Sequence, residues 1–224
     1  MSNVQLVIGN RNYSSWSLRA WLCLRKSGVA FEEIVLPLDC SEFDERIGEY
    51  SPTRRVPVMW DDDQCIWDSL AICEYANDNF AQGRLWPDDS YSRGWGRAMT
   101  AEMHGGFPDL RNKLPMNCRA RNRYVAMDDA LQSDINRIFS LWGDSLISHS
   151  DDGPWLLGQF SIADAMYAPV AMRFRTYGIS LPQDISSYCE YVWNDSDVVD
   201  WCEKADEETW IVEADEAGVD RDNG

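Results

Sequence analysis

The chain has 224 residues, of which 45% are hydrophobic and 12% aromatic, and its formal net charge is −18. This length and composition predict a folded protein with a substantial core and exclude a chain that is disordered throughout. The acidity argues against a broadly phosphate-neutralising surface, so nucleic acid is not expected as the main partner.

Strand and helix patterns alternate through the amino-terminal third of the chain. The predicted strands cover residues 4–8, 31–36, 58–60 and 64–67, and the predicted helices residues 16–27, 41–48 and 70–80. Apolar spacing defines the helices, while Gly28 and the Asp61-Asp62-Asp63 turn mark boundaries. In the order β-α-β-α-β-β-α, these elements predict a small α/β layer with a mixed sheet.

Helix patterns alone follow a linker-like segment at residues 85–89. The predicted helices cover residues 93–105, 107–113, 126–148, 161–175 and 195–209. The segment from Asp195 to Asp222 contains twelve acidic residues and only two basic ones. This composition predicts a solvated terminal helix followed by a frayed tail. The predicted division is a domain over residues 1–82, a linker over 83–92, an all-α domain over 93–212 and an acidic tail over 213–224.

Three polar segments in the amino-terminal half have the residue types of a ligand site. Ser14 and Ser15 stand between the first strand and the first helix, where a serine oxygen can cap free backbone N–H groups. Asp68 and Ser69 open a later helix, whose N-terminus attracts carboxylates, while Asp68 suits an ammonium group. Between these two, the Val56-Pro57 step precedes a hairpin and can present extended backbone to a peptide.

Taken singly, each segment is more typical of a routine N-cap or loop proline. Their order and spacing, followed by an all-α half, resemble the cytosolic glutathione S-transferases. The stretch 155–165 is similar to that family's N-capping box and hydrophobic staple, in which Ser161 and Asp164 cap a helix reciprocally. The resemblance covers about residues 4–205. It implies a thioredoxin-like amino-terminal domain followed by an all-helical domain.

The resemblance further implies a glutathione transferase that activates the thiol of glutathione, its co-substrate, for attack on a small electrophile in detoxification. Ser14 would be the catalytic hydroxyl donor to the thiolate, with Ser15 as a second hydroxyl or cap. A free thiol has a pKa of ~8.5, and a hydroxyl donor at a positive helix end increases its thiolate fraction. The implied glutathione-binding residues are Arg55, Val56, Pro57, Asp68 and Ser69, with Arg54 as an alternative to Arg55 for the glycyl carboxylate.

The Ser14-Ser15-Trp16 run resembles the zeta-like, maleylacetoacetate isomerase-like bacterial members, which carry Ser-Ser-Cys in this turn. Trp16 stands where their cysteine would stand, which argues against strict identity with them. Two alternatives stay open beside the transferase. One is a glutathione-dependent isomerase of the maleylacetoacetate type, and the other is a non-catalytic glutathione-binding interaction module.

A second substrate is expected between the two halves of the chain, beside Trp16. The candidate residues are Trp16, Met103, His104, Phe107 and Arg111. Alternatively, Met103 and Phe107 belong to an apolar stripe in the core. His104, as a lone histidine, then has a purely structural role. One dense basic segment, either a solvated face or an attractor for anions, contains Arg111, Lys113, Arg119, Arg121 and Arg123. Arg173 and Arg175 lie near the position where zeta-like enzymes hold a substrate carboxylate.

Seven cysteines without any C-x-x-C pair predict free thiols and no metal site. The chain shows no charged segment followed by an apolar run at its start, and no stretch near the ~20 apolar residues that span a bilayer. A cytoplasmic protein without membrane or nucleic-acid partners is expected, and the resemblance implies a homodimer.

Overall fold

The computed structural model describes residues 3–220 and shows an α/β layer followed by a helical layer. The strands are β1 (Val4–Ile8), β2 (Phe31–Val35), β3 (Val58–Asp61), β4 (Gln64–Trp67), β5 (Arg123–Tyr124) and β6 (Val219–Asp220). The α-helices are α1 (Ser15–Ser27), α2 (Ser41–Tyr50), α3 (Ser69–Asn79), α4 (Ser90–Gly105), α5 (Pro108–Lys113), α6 (Asp129–Ser148), α7 (Ile162–Tyr177), α8 (Gln183–Asn194) and α9 (Ser196–Glu207). The order from β1 to α3 is the predicted one.

The main sheet is mixed, as predicted, with the strand order β2-β1-β3-β4. β1 runs parallel to β2 and antiparallel to β3, and β3 and β4 form the hairpin. Side chains alternate between the two faces of a strand, so Val7 packs with Ile47 of α2 on one face. Leu6 and Ile8 face the other side and join the core around α1 and α3. The sheet therefore fixes the start of α1 directly beyond the end of β1.

Helix α1 joins the two layers, because it packs against α3 on one side and α7 on the other. Leu18 and Leu22 are fully buried, and the Trp21 ring lies 5.2 Å from that of Trp201 of α9. A single apolar core runs through these contacts, from the strands of the sheet to α9. The N-terminus of α1 consequently lies at the boundary between the layers.

Helix α7 is almost wholly buried, and its predicted capping box is confirmed. The Ser161 N–H donates to the Asp164 carboxylate at 2.8 Å, and Leu156 N–H and the Tyr188 hydroxyl donate to the other carboxylate oxygen. Burial nevertheless raises the pKa of Asp164 from 3.8 to about 6. This carboxylate fixes the loop before α7 against α8.

Two elements of the structure were not predicted from the sequence. Helix α8 was not predicted, although Ile185, Tyr188, Cys189 and Val192 recur at helical spacing on its buried face. Its N-cap is Pro182, which makes no side-chain capping bond and gave no start signal. A two-residue ladder between β5 and β6 also adds strand structure where none was expected.

The prediction of a frayed acidic tail is wrong for residues 213–220, because this segment packs back on the protein. A 3-10 turn at Glu213–Asp215 precedes β6, and the Glu216 carboxylate accepts hydrogen bonds from Tyr13, Asn117 and Arg123. Cationic and neutral donors thus fix the acidic segment. The last four residues of the predicted tail lie outside the described residues. Within residues 3–220, no helix combines the length and apolar character needed to cross a bilayer.

Candidate functional site

Ser14 forms the N-cap of α1. Its oxygen accepts from the Ser17 N–H at 3.4 Å, and its hydroxyl lies 2.7 Å from the Ser17 hydroxyl. Ser17 in turn accepts from the Gly9 N–H at the end of β1. In the structure the Ser14 hydroxyl donates to the Ser17 hydroxyl, and because a hydroxyl proton rotates, Ser14 can direct it to a bound ligand instead. Ser15, the second predicted hydroxyl, is buried in the first turn of the same helix.

The turn before Ser14 is held by residues near the other end of the chain. The Glu208 carboxylate accepts from the backbone N–H groups of Arg11 and Asn12 at 2.8 and 3.2 Å. The Tyr13 hydroxyl donates to Glu216 at 2.7 Å. Burial and the Glu216 carboxylate raise the pKa of Tyr13, so this phenol stays protonated and works as a donor. Sequence reasoning missed this contact, because no local pattern connects residues so far apart.

The second segment is the loop that leads into β3. The Val56–Pro57 peptide bond is cis, and the β3–β4 ladder begins at Val58, so Val56 stands outside it. Arg55 is exposed beside Val56. Arg54 borders the same space, and its guanidinium donates to the Asp44 carbonyl at 2.6 Å. This bond occupies part of the Arg54 guanidinium, which favours Arg55 for a ligand carboxylate.

The third segment opens α3. Asp68 is the N-cap in a left-handed conformation (φ 75°), and its carboxylate accepts from Leu70 N–H at 2.9 Å. Its other oxygen lies 3.2 Å from His104 Nε2. The Ser69 hydroxyl is buried and has no hydrogen-bond partner among the described residues. A buried unpaired hydroxyl at a helix N-terminus is a donor available to a carboxylate.

These segments meet at two neighbouring cavities of about 500 and 410 Å³. The first is lined by Trp16, Thr53, Arg55, Val56, Pro57, Trp67, Asp68, Ser69 and His104. The second is lined by Tyr13, Ser14, Ser15, Trp16, Leu38, Phe43, Arg54, Arg55, Val56, Arg111, Pro115, Met116, Arg173 and Asp215. Trp16, Arg55 and Val56 belong to both, so the cavities join along these side chains. The structure thus brings together every predicted glutathione-binding residue and both predicted serines.

Trp16 lies between two guanidinium groups at the junction of the cavities. Its ring centroid is 4.3 Å from Arg19 Cζ and 4.8 Å from Arg111 Cζ, both cation–π distances. The ring centroids of Trp16 and His104 lie 5.3 Å apart in a T-shaped arrangement. Sequence reasoning did not single out Arg19. It is fully buried, and burial together with the nearby Arg111 and Arg173 lowers its pKa well below the ordinary value.

The second cavity is cationic although the protein is acidic. Arg54, Arg55, Arg111 and Arg173 line it. Burial lowers the pKa of Arg173 from 12.5 to about 10, so Arg173 stays charged at neutral pH, and burial lowers the pKa of Arg111 as well. Arg173 Nε donates to the Leu114 carbonyl at 2.7 Å, which holds the guanidinium in place. Asp215 is the one acidic residue in the described lining, and burial raises its pKa. The cavity therefore favours an anionic ligand.

Several other predicted residues lie elsewhere. Met103 and Phe107 are buried in the core and line neither cavity, so the structure does not bring them to the site. His104 lines the first cavity and not the second.

The basic segment does not form one surface. Lys113 pairs with Asp109 and Asp128, Arg119 contacts Tyr13, and Arg123 pairs with Glu216. Arg121 and Arg175 lie at a separate cavity beside Cys202. Among the described residues of this basic segment, only Arg111 lines the second cavity. The five residues therefore act neither as one solvated face nor as one attractor for anions: Arg111 is placed to attract an anionic ligand, and carboxylates and backbone carbonyls bind the other side chains.

Comparison with known proteins finds a family model and several relatives that are similar to parts of this chain. Residues 13–79 match the model of the glutathione S-transferase N-terminal domain. The rice protein named Protein IN2-1 homolog B (Oryza sativa subsp. indica) is 25% identical over 166 residues, which cover 72% of this chain and 62% of the rice protein. The maleylacetoacetate isomerase of Rattus norvegicus is 25% identical over 178 residues, covering 76% of this chain and 78% of the rat protein.

A solved structure shows the same fold. The glutathione transferase homologue from Burkholderia, crystallised with bound glutathione, superposes with a TM-score of 0.70 at 21% identity and covers 93% of this chain and 100% of its own. The predicted fold, a thioredoxin-like layer followed by a helical layer, is thereby confirmed. The chain spans about 62% of the length of the rice relative.

Proposed function

We propose that this chain is a member of the glutathione S-transferase family, that it binds glutathione in the first cavity, and that the glutathione sulfur attacks a small electrophile in the second, forming a bond to it as the electrophile's leaving group departs. The observation that carries the proposal is the meeting of three segments, at Ser14, Val56-Pro57 and Asp68-Ser69, around two joined cavities. One cavity holds the donors suited to a peptide ligand. The other places the Ser14 hydroxyl beside open space for a second substrate.

Ser14 is proposed as the hydroxyl that stabilises the thiolate. It stands at the N-terminus of α1, where unpaired N–H groups and the helix dipole favour negative charge. Arg19 and Arg111, stacked on the Trp16 ring, add positive charge at the same place. Together these groups lower the pKa of a bound thiol, which increases the thiolate fraction at neutral pH.

The remaining glutathione contacts follow from the chemistry of the first cavity. The unpaired Ser69 hydroxyl and the α3 N-terminus suit the γ-glutamyl carboxylate. Asp68 suits the γ-glutamyl ammonium, although His104 already lies 3.2 Å from one of its oxygens. Val56 is proposed to pair through its backbone with the cysteinyl part, and Arg55 to meet the glycyl carboxylate.

A second candidate is glutathione-dependent isomerisation of a maleyl-type dicarboxylate. The observation that favours it is the pair Arg111 and Arg173 in the second cavity, since two cations suit a dianionic substrate. The rat relative carries the name of this isomerase. A place among the zeta-like members is likewise proposed on the Ser14-Ser15 run, with Trp16 as the departure.

The deciding experiment is glutathione titration by calorimetry, followed by turnover of three electrophiles: a neutral aryl halide, a maleyl-type dicarboxylate and an organic peroxide. Binding with conjugation of the aryl halide supports the transferase, whereas turnover of the dicarboxylate alone supports the isomerase. Binding without any turnover favours a non-catalytic binding module. Absence of glutathione binding would overturn all three readings.

The oligomeric state, location, role and domain division of the protein are proposed as well. We propose a homodimer in the cytoplasm with a role in detoxification, and a domain division at the linker over residues 83–92. Sedimentation velocity tests the dimer, and limited proteolysis tests whether the linker is cleaved before either domain.

A further inference from the structure

Two arginines in the lining of the second cavity have guanidinium groups that are only partly hydrogen-bonded. Arg173 is 3% exposed, and it donates through Nε to the Leu114 carbonyl and through one terminal nitrogen to the Pro169 carbonyl. Arg111 donates through Nε and one terminal nitrogen to three backbone carbonyls at the end of α4. In both side chains the other terminal nitrogen has no hydrogen-bond partner among the described residues. Backbone carbonyls thus hold both cations in place and leave each with a donor for a ligand.

A carboxylate lines the same cavity without pairing with either cation. Asp215 is half-buried, and within residues 3–220 its carboxylate makes no hydrogen bond and no ion pair. Burial raises the pKa of Asp215, and the charge of Arg173 opposes that rise. A half-buried carboxylate in this state is stabilised when a cation binds beside it. Asp215 therefore offers a place for the positive group of a ligand.

The backbone around Asp215 is held against the protein. Asp215 ends the 3-10 turn that begins at Glu213. The next residue, Glu216, accepts hydrogen bonds from the Tyr13 hydroxyl at 2.7 Å and from the Asn117 amide at 2.8 Å. Because Tyr13 also lines the second cavity, these bonds fix the position of Asp215 relative to the cavity wall. The unpaired carboxylate and the two unpaired guanidinium nitrogens are thus parts of one preformed lining.

We propose that the second cavity binds an electrophile with an amino-acid head group, whose carboxylate pairs with Arg111 and Arg173 and whose ammonium pairs with Asp215. A ligand with a carboxylate alone leaves Asp215 unpaired, and a ligand with an ammonium alone leaves the arginines unpaired. Trp16 and Met116 give apolar surface for the rest of the molecule. The proposal rests on the proposed function, because glutathione in the first cavity supplies the attacking sulfur.

The reaction can be written for a fluoronitrophenyl ring on such a head group. The thiol of glutathione loses its proton to solvent, and the thiolate attacks the ring carbon that carries fluorine. The C–S bond forms while the nitro group takes up the negative charge of the adduct. The C–F bond then breaks, and fluoride leaves with the bonding electron pair. One thiol and one aryl fluoride thus yield one thioether, one fluoride ion and one proton.

The test is calorimetric titration of the full chain, without glutathione, with three unreactive ligands. These are meta-nitrophenylalanine, its analogue without the amino group, and its analogue without the carboxylate. We expect the amino acid to bind about 10-fold more tightly than either analogue, because each analogue loses one charge-assisted interaction. Asp215→Asn should abolish the advantage over the analogue without the amino group. Arg173→Gln should reduce the advantage over the analogue without the carboxylate.

Glu213→Gln is the matched control, because Glu213 belongs to the same turn as Asp215 and is exposed. It should leave all three affinities unchanged. Circular dichroism shows whether each variant folds, and the comparison of the three ligands on the unmodified protein needs no variant. The proposal is overturned if the amino acid binds no more tightly than its analogue without the amino group, if none of the ligands binds, or if Asp215→Asn binds the amino acid more tightly.

Turnover separates this proposal from the proposed function. With glutathione present, kcat/KM for para-fluoro-meta-nitrophenylalanine should exceed that for its analogue without the amino group by about 10-fold. Absence of glutathione binding would overturn the proposed function, while the ligand affinities measured without glutathione would stand. Conjugation of a neutral aryl halide without any preference for the amino acid would overturn the present proposal and leave the transferase in place.

Discussion

The Arg19 guanidinium stacks 4.3 Å from the Trp16 ring centroid, yet none of its three nitrogens has a hydrogen-bond partner among the described residues. A buried charge without a partner costs free energy that the cation–π contact only partly offsets. Arg19 lies near the start of α1 and stacks on Trp16, which lines both cavities, so its positive charge is near the proposed thiolate. Arg19 therefore lowers the stability of the fold while its charge favours the proposed thiolate.

We expect Arg19→Met to raise the free energy of unfolding by about 1–3 kcal/mol, because it removes the buried charge at similar volume. The pKa of bound glutathione should rise at the same time, measured from the ultraviolet absorbance of the thiolate against pH. Arg25→Met is the matched control on the same helix, since Arg25 is 42% exposed and pairs with Asp197. A destabilised Arg19→Met would show that the guanidinium has partners that the described residues do not include.

Ser14→Ala should lower kcat/KM for a neutral aryl halide about 100-fold, the usual cost of removing one donor to a developing anion. Loss of the α1 cap should also lower the free energy of unfolding by about 1 kcal/mol. Steady-state kinetics and urea denaturation separate the two effects. Ser15→Ala, one residue later in the same turn, should change kcat/KM little, and the reverse ranking would assign the catalytic role to Ser15.

Ser69→Ala should weaken glutathione binding by roughly 10- to 100-fold, as expected for one hydrogen bond to a charged group. Protein stability should stay unchanged or rise slightly, because the hydroxyl has no partner in the described chain. Titration calorimetry measures the affinity. Ser90→Ala is the control, since Ser90 also directly follows an aspartate N-cap, at the start of α4, and lies on the surface. Equal effects of both changes would contradict the assignment of Ser69.

The second cavity should distinguish electrophiles by charge. Arg111→Gln should raise KM about 10-fold for an electrophile that carries a carboxylate, because one charge-assisted hydrogen bond is lost. The KM for a neutral aryl halide should change much less. Arg175→Gln serves as control, as Arg175 lies near the carboxyl end of α7 but faces the cavity beside Cys202. Equal losses for both electrophiles would indicate that Arg111 only supports the fold.

Asp164 gives a pH prediction with a definite sign. Its pKa is about 6 in the folded protein and 3.8 ordinarily, so between these values the unfolded chain binds fewer protons. The free energy of unfolding of the wild type, minus that of Asp164→Asn, should therefore fall by about 2 kcal/mol as pH rises from 4 to 7. Urea titrations across this range measure it. A rising difference would show that the hydrogen-bond donors around Asp164 outweigh its burial.

Asp128→Asn provides the opposite case. Hydrogen bonds from Lys113 and the Leu131 N–H lower the pKa of Asp128 in the folded protein. The stability that its carboxylate contributes is present above the ordinary pKa and is lost as pH falls. The free energy of unfolding of the wild type, minus that of Asp128→Asn, should therefore rise with pH, as measured by the same urea titrations.

Local patterns predicted much of this fold. The strand and helix order from β1 to α3 follows from apolar spacing and turn residues, and the α7 capping box can be read directly from Ser161 and Asp164. Helix α8 was missed because Pro182 gives no capping signal, although its apolar spacing was present. The cationic second cavity was predicted only in part. Arg111 was identified, while the burial of Arg19 depends on how α1 packs against α3 and α7.

The contact of Glu208 with the backbone of Arg11 and Asn12 has a consequence for how the protein is made. The turn that positions Ser14 leaves the ribosome well before Glu208, which lies 197 residues after Arg11. The amino-terminal layer can therefore acquire its strands and helices early, but the wall of the site around Ser14 is completed only after Glu208 and Glu216 have been synthesised. A nascent chain halted before residue 208 would carry every proposed glutathione ligand and still hold the first of them in an unsupported turn.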